Sequence, residues 1–386
     1  MLFEGIRKKT TRFAVGMTCG SAARGVDAAL VRIKGTGANL HIKYIQSRHF
    51  PYAPGMHTRL IVSRKDAREV ALLNFELGEC LAEAAQEMCR IAQTDLCEVD
   101  FVAVDGYTVS HNPPRGYDLS IGTYQIGEPS IVAERTQHPV VSDFRSRDMA
   151  AGGQGGPISA YADWALFARD DRTVAHLHLG GITSITVIPP KFDEIVSFDA
   201  GPGMIVLDGA VRQLTSGTQE MDVKGAAAAK GVVIDEFLEF LLDHPYFAKV
   251  PPKTTCRDEF APETYLRDAL TARKDHSLDD LLATVTAAVS YCLVRAYNRF
   301  VKPQYTVSRV IVSGGGVKNQ ALMQRLRNGL SDSVLRASDE YGLPADAMDA
   351  IGVAVLGNET LCGKPSNVPH ATGAQQAVAL GRITPA

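Results

Sequence analysis

Val174-Ala175-His176-Leu177-His178-Leu179-Gly180-Gly181-Ile182-Thr183-Ser184-Ile185-Thr186-Val187-Ile188 is the stretch whose reading decides the fold. Val174 to Leu179 and Ile185 to Ile188 are apolar and β-branched and predict two strands, with Gly180-Gly181 as the turn. Pro189-Pro190 stops the second strand, because proline has no N–H for a ladder. An earlier stretch follows the same plan. Arg12 to Met17 and Ala28 to Gly35 read as strands around the small-residue turn Thr18-Cys19-Gly20-Ser21-Ala22-Ala23-Arg24-Gly25-Val26-Asp27. A strand–glycine turn–strand unit thus occurs once in each half, followed by helices. The expectation is a duplicated α/β architecture, with an N-terminal lobe over 1–174, a C-terminal lobe over 175–386 and a ligand cleft between them.

The rest of the chain fits that plan. Val70, Leu73, Leu77, Leu81, Ala84, Met88 and Ile91 recur at helical spacing and predict a long helix from Asp66 to Gln93. Leu281, Leu282, Val285, Val289, Leu293, Ala296 and Phe300 mark the core face of another. Asp100 to Val104, His138 to Phe144 and Arg309 to Val312 read as strands, and helices are expected over Ala321 to Leu330 and Asp346 to Cys362.

Bulk properties exclude several function classes. The 386 residues carry a formal net charge of −3, so no basic excess is available for a nucleic-acid backbone or an anionic membrane. No apolar run approaches the roughly 18–20 residues needed to span a bilayer, and the charged start, Met1 to Arg12, shows no signal peptide. Seven scattered cysteines without a C-x-x-C read as reduced thiols in a cytoplasmic protein.

Four stretches can carry chemistry. Asp143-Phe144-Arg145-Ser146-Arg147-Asp148-Met149-Ala150-Ala151-Gly152-Gly153-Gln154-Gly155-Gly156-Pro157 combines acids, arginines and glycines that can approach and hydrogen-bond a sugar, or it is a salt-bridged flexible loop. In Ser197-Phe198-Asp199-Ala200-Gly201-Pro202-Gly203-Met204 one acid precedes a rigid bend, where it can serve as general base or simply cap the next helix. Pro251-Pro252-Lys253-Thr254-Thr255 offers a lysine and hydroxyls to phosphate or sugar, or is a polar loop. Ser313-Gly314-Gly315-Gly316-Val317-Lys318-Asn319 ends a strand and opens a helix, where backbone N–H groups suit a nucleotide; no Gly-Lys-Ser/Thr follows, so it is not a Walker A loop.

Taken in order, D-F-R-x-x-D-x-A-x-G-G-Q-G, L-x-x-G-G-I, F-D-x-G-P-G, P-P-K-T-T and G-G-G-x-x-N resemble the anhydro-N-acetylmuramic acid kinases. Asp339-Glu340-Tyr341-Gly342-Leu343-Pro344-Ala345 and the ending Leu380-Gly381-Arg382-Ile383-Thr384-Pro385 resemble the eukaryotic levoglucosan kinase branch. The resemblance runs from about Phe13 to the C-terminus. It implies the two-lobed actin-like ATPase fold of sugar kinases, Hsp70 and actin, with duplicated ribonuclease H-like lobes. It also implies ATP and Mg²⁺ as cofactors, a 1,6-anhydro sugar as substrate, and a possible homodimer. In that reaction a carboxylate activates water to open the internal ether, and the released O6 takes the γ-phosphoryl.

Carried over, Asp199 matches the catalytic base, and Asp143, Arg145, Asp148 and Gln154 match the sugar-side loop. Lys253 and Thr254 join them as candidate substrate contacts. Gly20, Ser21, Gly180, Gly181, Gly201, Gly203, Gly314, Gly315, Gly316 and Asn319 are the nucleotide-side candidates, and Asp349 stands where the family has a glutamate supporting Mg²⁺. This chain departs from the family pattern on the phosphate side. Arg24 replaces an acid in a loop one residue longer, Asp105 and Tyr107 replace His and Gln, His178 and Ser184 replace two asparagines, and Met204 replaces a third. These changes keep a second reading open, a relative that binds sugar or nucleotide without useful turnover. The sequence does not separate the two sugars.

Overall fold

The computed structural model describes residues 2–62, 64, 66–114, 120–168 and 172–386. Two compact units make up the chain, Met1–Ala168 with Ala347–Ala386, and Arg169–Asp346. The strands in chain order are β1 (Thr11–Thr18), β2 (Gly25–Lys34), β3 (His41–Pro51), β4 (Phe101–Asp105), β5 (Tyr107–Asn112), β6 (Gly122–Ile126) and β7 (Val140–Ser142). They continue with β8 (Val174–Leu179), β9 (Ile182–Ile188), β10 (Val196–Pro202), β11 (Arg309–Ser313), β12 (Leu335–Ala337) and β13 (Arg382–Thr384).

The first unit's sheet has the order β13-β7-β4-β1-β2-β3, and the second unit's has β10-β9-β8-β11-β12. In the first, β1 runs antiparallel to β2 and β2 to β3, while β1, β4 and β7 are parallel. In the second, β8, β9 and β10 are antiparallel in turn, while β8, β11 and β12 are parallel. Order and direction therefore repeat: a three-stranded meander whose first strand continues into a parallel pair. This is the duplicated ribonuclease H-like topology of the actin-like ATPase fold, an α/β class, and it follows from the two strand–glycine–strand units.

Helices cover both faces of the first sheet, which explains why β1 is buried nearly throughout. Ala67–Ile91 lies on one side, capped by the Asp66 carboxylate, and turns Val70, Leu73, Leu77, Leu81 and Met88 into the core. Met348–Leu361 covers the other. That packing corrects the expected boundary. The sequence reading ran the second lobe to residue 386, but the chain returns to the first unit at Ala347. Gly16 gives the physical reason: a Cβ there would stand 2.0 Å from the Ala350 carbonyl oxygen, so this helix lies directly on β1. A flat pattern of apolar residues in 348–361 says that the helix is buried, not which sheet buries it.

In the second unit, Leu278–Phe300 packs its apolar stripe on β9 and β10 beside the helix Met204–Leu214. Its core gathers Phe198, Tyr246, Phe260, Leu293 and Val312. One local expectation changes. The strand foreseen over His138 to Phe144 is only Val140–Ser142, and Phe144–Ala150 is a helix. Asp143 makes the turn between them with φ 57°, a left-handed conformation that Asp tolerates better than most residues.

Candidate active site

Most of the nucleotide-side glycines predicted from the sequence meet in the second unit. The Gly180-Gly181 tip receives the Gly-Pro-Gly bend: Gly203 N donates to Gly181 O (3.0 Å) and Met204 N to Gly180 O (2.9 Å). The loop after β11 closes on the same tip. A Cβ on Gly314 would stand 2.6 Å from Leu179 backbone atoms, and one on Gly316 would stand 2.7 Å from Leu179 and 3.0 Å from Met204 sulfur. Gly315 has nothing within 4 Å of its Cβ position and so keeps an open face. Glycine is required here because three backbone segments touch. Gly201 takes part differently: it follows a bulge in β10, and its carbonyl accepts from Thr183 Oγ1 at 3.1 Å.

Asn319 lies next to this cluster but is 5% exposed, and its Oδ1 caps the helix Gln320–Gly329 by accepting from Leu322 N at 3.0 Å. Its side chain holds the loop in place. Beneath the glycines, Ser313 Oγ lies between His176 Nε2 (2.7 Å) and His178 Nδ1 (3.0 Å). The sequence reading counted His178 only as a lost asparagine.

Asp199 sits in β10, opposite Ser184 of β9, and is 7% exposed. Thr254 Oγ1 donates to its Oδ2 at 2.7 Å and Thr255 N to the same oxygen at 2.8 Å. Asp199 N donates to Lys253 O at 3.1 Å, and Tyr246 OH to Asp199 O at 2.8 Å. Donors aimed at a carboxylate favour its ionised, proton-accepting form. The helix-cap reading of Asp199 does not hold: the next helix begins at Met204, with Gly203 in the cap position. Thr254 reaches Asp199 itself, and Lys253 turns its ammonium among aromatic rings, 4.6 Å from the Tyr246 centroid. Thr255 entered the sequence reading for its hydroxyl; its contribution to Asp199 is a main-chain N–H, which no side-chain pattern reveals.

The first unit assembles the loop that the sequence offered to the sugar. Arg145 Nη1 donates to Gly155 O at 3.1 Å and Nη2 faces Asp105 Oδ2 at 3.4 Å, while its buried Nε has no hydrogen-bond partner among the described residues. Asp143 accepts from Ser146 Oγ at 2.6 Å and pairs with Arg382 of β13 at 2.9 Å. Gln154 Nε2 donates to Pro114 O at 3.1 Å. Asp148 is 1% exposed. Its carboxylate accepts from Gly155 N (2.9 Å), Asn367 Nδ2 (2.9 Å) and Thr372 Oγ1 (2.7 Å), so it latches the glycine loop to the C-terminal segment. The sequence reading offered Asp148 to the sugar; the structure engages both of its oxygens within the protein.

Asp105 is the residue that sequence reasoning undervalued. It ends β4, and its sequence context shows no more than a strand-end acid. Burial pushes its carboxyl above the usual range; Arg145 pulls it down, and the nearby charges of Asp349 and Asp143 push it further up. Two carboxylates that destabilise each other, Asp105 and exposed Asp349, suit a divalent cation. Among the described residues no group of three or more His, Cys, Asp or Glu converges as a metal cage. Mg²⁺ fits such a pair, since it commonly takes one or two carboxylates and completes its shell with phosphate and water.

At the β1–β2 tip, Gly20 has φ 53° with nothing within 4 Å of its Cβ position, and its N–H donates to Thr18 Oγ1 at 3.3 Å. Ser21 follows in the same turn, half-buried. Cys19 N donates to Asp105 O at 3.1 Å, and burial pushes the Cys19 thiol up to about 12, so it stays protonated. Arg24 is half-buried, and its carbonyl accepts from Tyr52 N at 3.1 Å.

The family model for anhydro-N-acetylmuramic acid kinase matches residues 12–386. An anhydro-N-acetylmuramic acid kinase of Caldanaerobacter subterraneus subsp. tengcongensis is 36% identical over 391 residues, covering 98% of this chain and 98% of that protein. Its counterpart in a strain of Bacillus cereus is 36% identical over 380 residues, covering 96% and 99%. Among solved structures, the Acidaminococcus fermentans (R)-2-hydroxyglutaryl-CoA dehydratase component A is 14% identical, covers 91% of this chain and 99% of that one, and has a TM-score of 0.47, too distant to add to the assignment. On the full-length match of motif order, family model and relatives, this chain belongs to the anhydro-N-acetylmuramic acid kinase family.

Proposed function

We propose that the chain is an ATP-dependent kinase that hydrolytically opens a 1,6-anhydro sugar and phosphorylates its O6, with anhydro-N-acetylmuramic acid as the substrate. The observation that carries this reading is the Asp199 carboxylate, oriented by Thr254 and Thr255 on the same strand that bends into the glycine cluster. Asp199 takes a proton from water as its oxygen bonds to the anomeric carbon. The C1–O6 bond breaks, O6 bonds to the γ-phosphorus as its bond to the β-phosphate oxygen breaks and ADP leaves, and Asp199 then releases the water proton to solvent. The backbone around Gly180, Gly181 and Gly315, open at Gly315, binds the nucleotide, and Arg145, Asp143 and Gln154 bind the sugar. Asp349 with Asp105 would hold Mg²⁺, which supplies charge neutralisation to the phosphates.

The relatives that match over their full length are named as kinases, which supports turnover over binding alone. The seven cysteines are free thiols, which supports work in the reducing cytoplasm; the homodimer implied by the resemblance belongs to the same proposal. The test is an ADP-release assay with ATP and Mg²⁺, run with anhydro-N-acetylmuramic acid and with levoglucosan. Release with the first sugar supports the reading, and release only with the second moves the substrate to the levoglucosan type. No release with either, from folded protein that binds ATP, would overturn it.

A further inference from the structure

Lys253 occupies a setting that the proposed reaction does not use. The residue is 5% exposed. Its ammonium is surrounded by aromatic faces, 4.6 Å from the Tyr246 centroid, 5.4 Å from Phe300 and 6.0 Å from Phe198. Among the described residues it makes no ion pair and no hydrogen bond. Aromatic rings ease the burial of a cation but do not replace the hydrogen bonds that water gave it.

Lys253 lines a pocket of about 290 Å³ measured out to solvent, whose enclosed part has room for one water-sized group. Two more cations, Arg295 and Arg299 of the helix Leu278–Phe300, line the same pocket and are exposed to solvent. The Arg299 guanidinium rests on the Phe300 ring at 4.8 Å. The remaining lining is apolar apart from Cys292, whose thiol burial pushes up to about 12 and keeps neutral. Among the described residues no carboxylate lines the pocket. Burial lowers the lysine to about 8 despite the opposing pull of Asp199, as expected for a cation short of a partner.

We propose that this pocket binds one small monovalent anion, a halide or the carboxylate head of a small acid, between the Lys253 ammonium and the Arg295 and Arg299 guanidinia. Three cationic residues line it with no acid beside them among the described residues, and the Lys253 ammonium is buried without an ion pair. The site lies wholly in the second unit and does not depend on the kinase reading. It does touch Asp199 indirectly, because the Lys253 carbonyl and the following two threonines hold that residue.

The experiment uses the full chain without nucleotide or sugar. Chloride binding is read from the excess ³⁵Cl NMR line width, and bromide is located by anomalous scattering in soaked crystals. Wild type should broaden chloride and show bromide beside Lys253 Nζ. Lys253→Met should reduce the excess width at least fivefold, and Arg299→Gln, an exposed change that spares the core, should reduce it severalfold. Competition with acetate then separates the sources: displacement of chloride assigns the carboxylate, and failure to displace it assigns the halide. A pocket without bromide at saturating soak, or a line width unaffected by Arg299→Gln and Lys253→Met, would overturn the proposal.

Discussion

The Thr254 hydroxyl donates to Asp199 Oδ2 across 2.7 Å, although the two residues lie 55 positions apart in the chain. Thr255 N adds a second donor to the same oxygen, and the Lys253 carbonyl receives Asp199 N. Residues 253–255 therefore fix both the backbone and the carboxylate of Asp199. The P-P-K-T-T stretch works here as a clamp on an acid.

Asp199→Asn keeps the shape and the acceptor oxygen but removes the base. Sugar-dependent ADP release should fall by about 10²–10⁴-fold, with ATP affinity unchanged. Thr254→Val removes one donor and should lower kcat by roughly tenfold, the kinetic equivalent of one ordinary hydrogen bond, with little effect on the KM for ATP. Steady-state kinetics with each substrate varied checks both. Near-normal turnover by folded Asp199→Asn would remove this residue from the mechanism.

Asp148 should matter through stability. Its buried carboxylate satisfies three donors from the glycine loop and the C-terminal segment. Asp148→Ala leaves those donors unpaired and should cost roughly 2–4 kcal/mol. Asp148→Asn retains one acceptor and should cost less. Urea denaturation measures both. A stability loss under about 0.5 kcal/mol, within the range of ordinary surface changes, would show that the latch carries no weight.

The fold was legible because its deciding signal is local: apolar runs around glycine turns, repeated in each half. The boundary at Ala347 was not, because the partner of a buried helix is set by close approach at Gly16, a contact more than 300 residues away in sequence. The glycines and Asp199 were singled out by residue type alone, and their roles belong to the proposed function. Asp148 and Asn319 are ambiguous for a different reason. Asp and Asn hydrogen-bond protein backbone as readily as ligand, and only the partners, Gly155 N and Leu322 N, show which task each performs. Asp105 was missed because a substitution away from a family pattern reads as loss, while its burial and its acidic neighbours appear only in three dimensions.

Two glycines of the nucleotide cluster should respond differently to one added methyl group. At Gly203 a Cβ would stand 2.3 Å from the Gly180 carbonyl oxygen, and backbone cannot yield cheaply there. Gly203→Ala should lower both stability and nucleotide affinity. At Gly315 the space is open, so Gly315→Ala should leave stability within about 0.5 kcal/mol while weakening ATP binding through the methyl group at the ligand face. Thermal melting with ATP titration separates the two. Unchanged ATP affinity in Gly315→Ala would move the nucleotide away from this loop.

Lys253 gives the protein a pH dependence of defined sign. Burial holds its folded-state pKa at about 8, against 10.5 for an ordinary lysine. Between those values the unfolded chain binds more protons than the folded one, so stability rises with pH across that window. Below pH 8 the cost of the buried charge is fully present, of order 3 kcal/mol. Lys253→Met preserves the apolar stem and removes the titration. In a buffer free of small anions the variant should therefore be more stable than wild type at pH 7, and the difference should shrink towards pH 10. Every other titrating group is common to both proteins, so the difference between their denaturation curves isolates Lys253. Adding the anion that fills the pocket should narrow the gap at pH 7 from the other side, by stabilising wild type alone. A difference that stays flat from pH 7 to pH 10 would mean that the ammonium reaches solvent and that the pocket holds no buried charge.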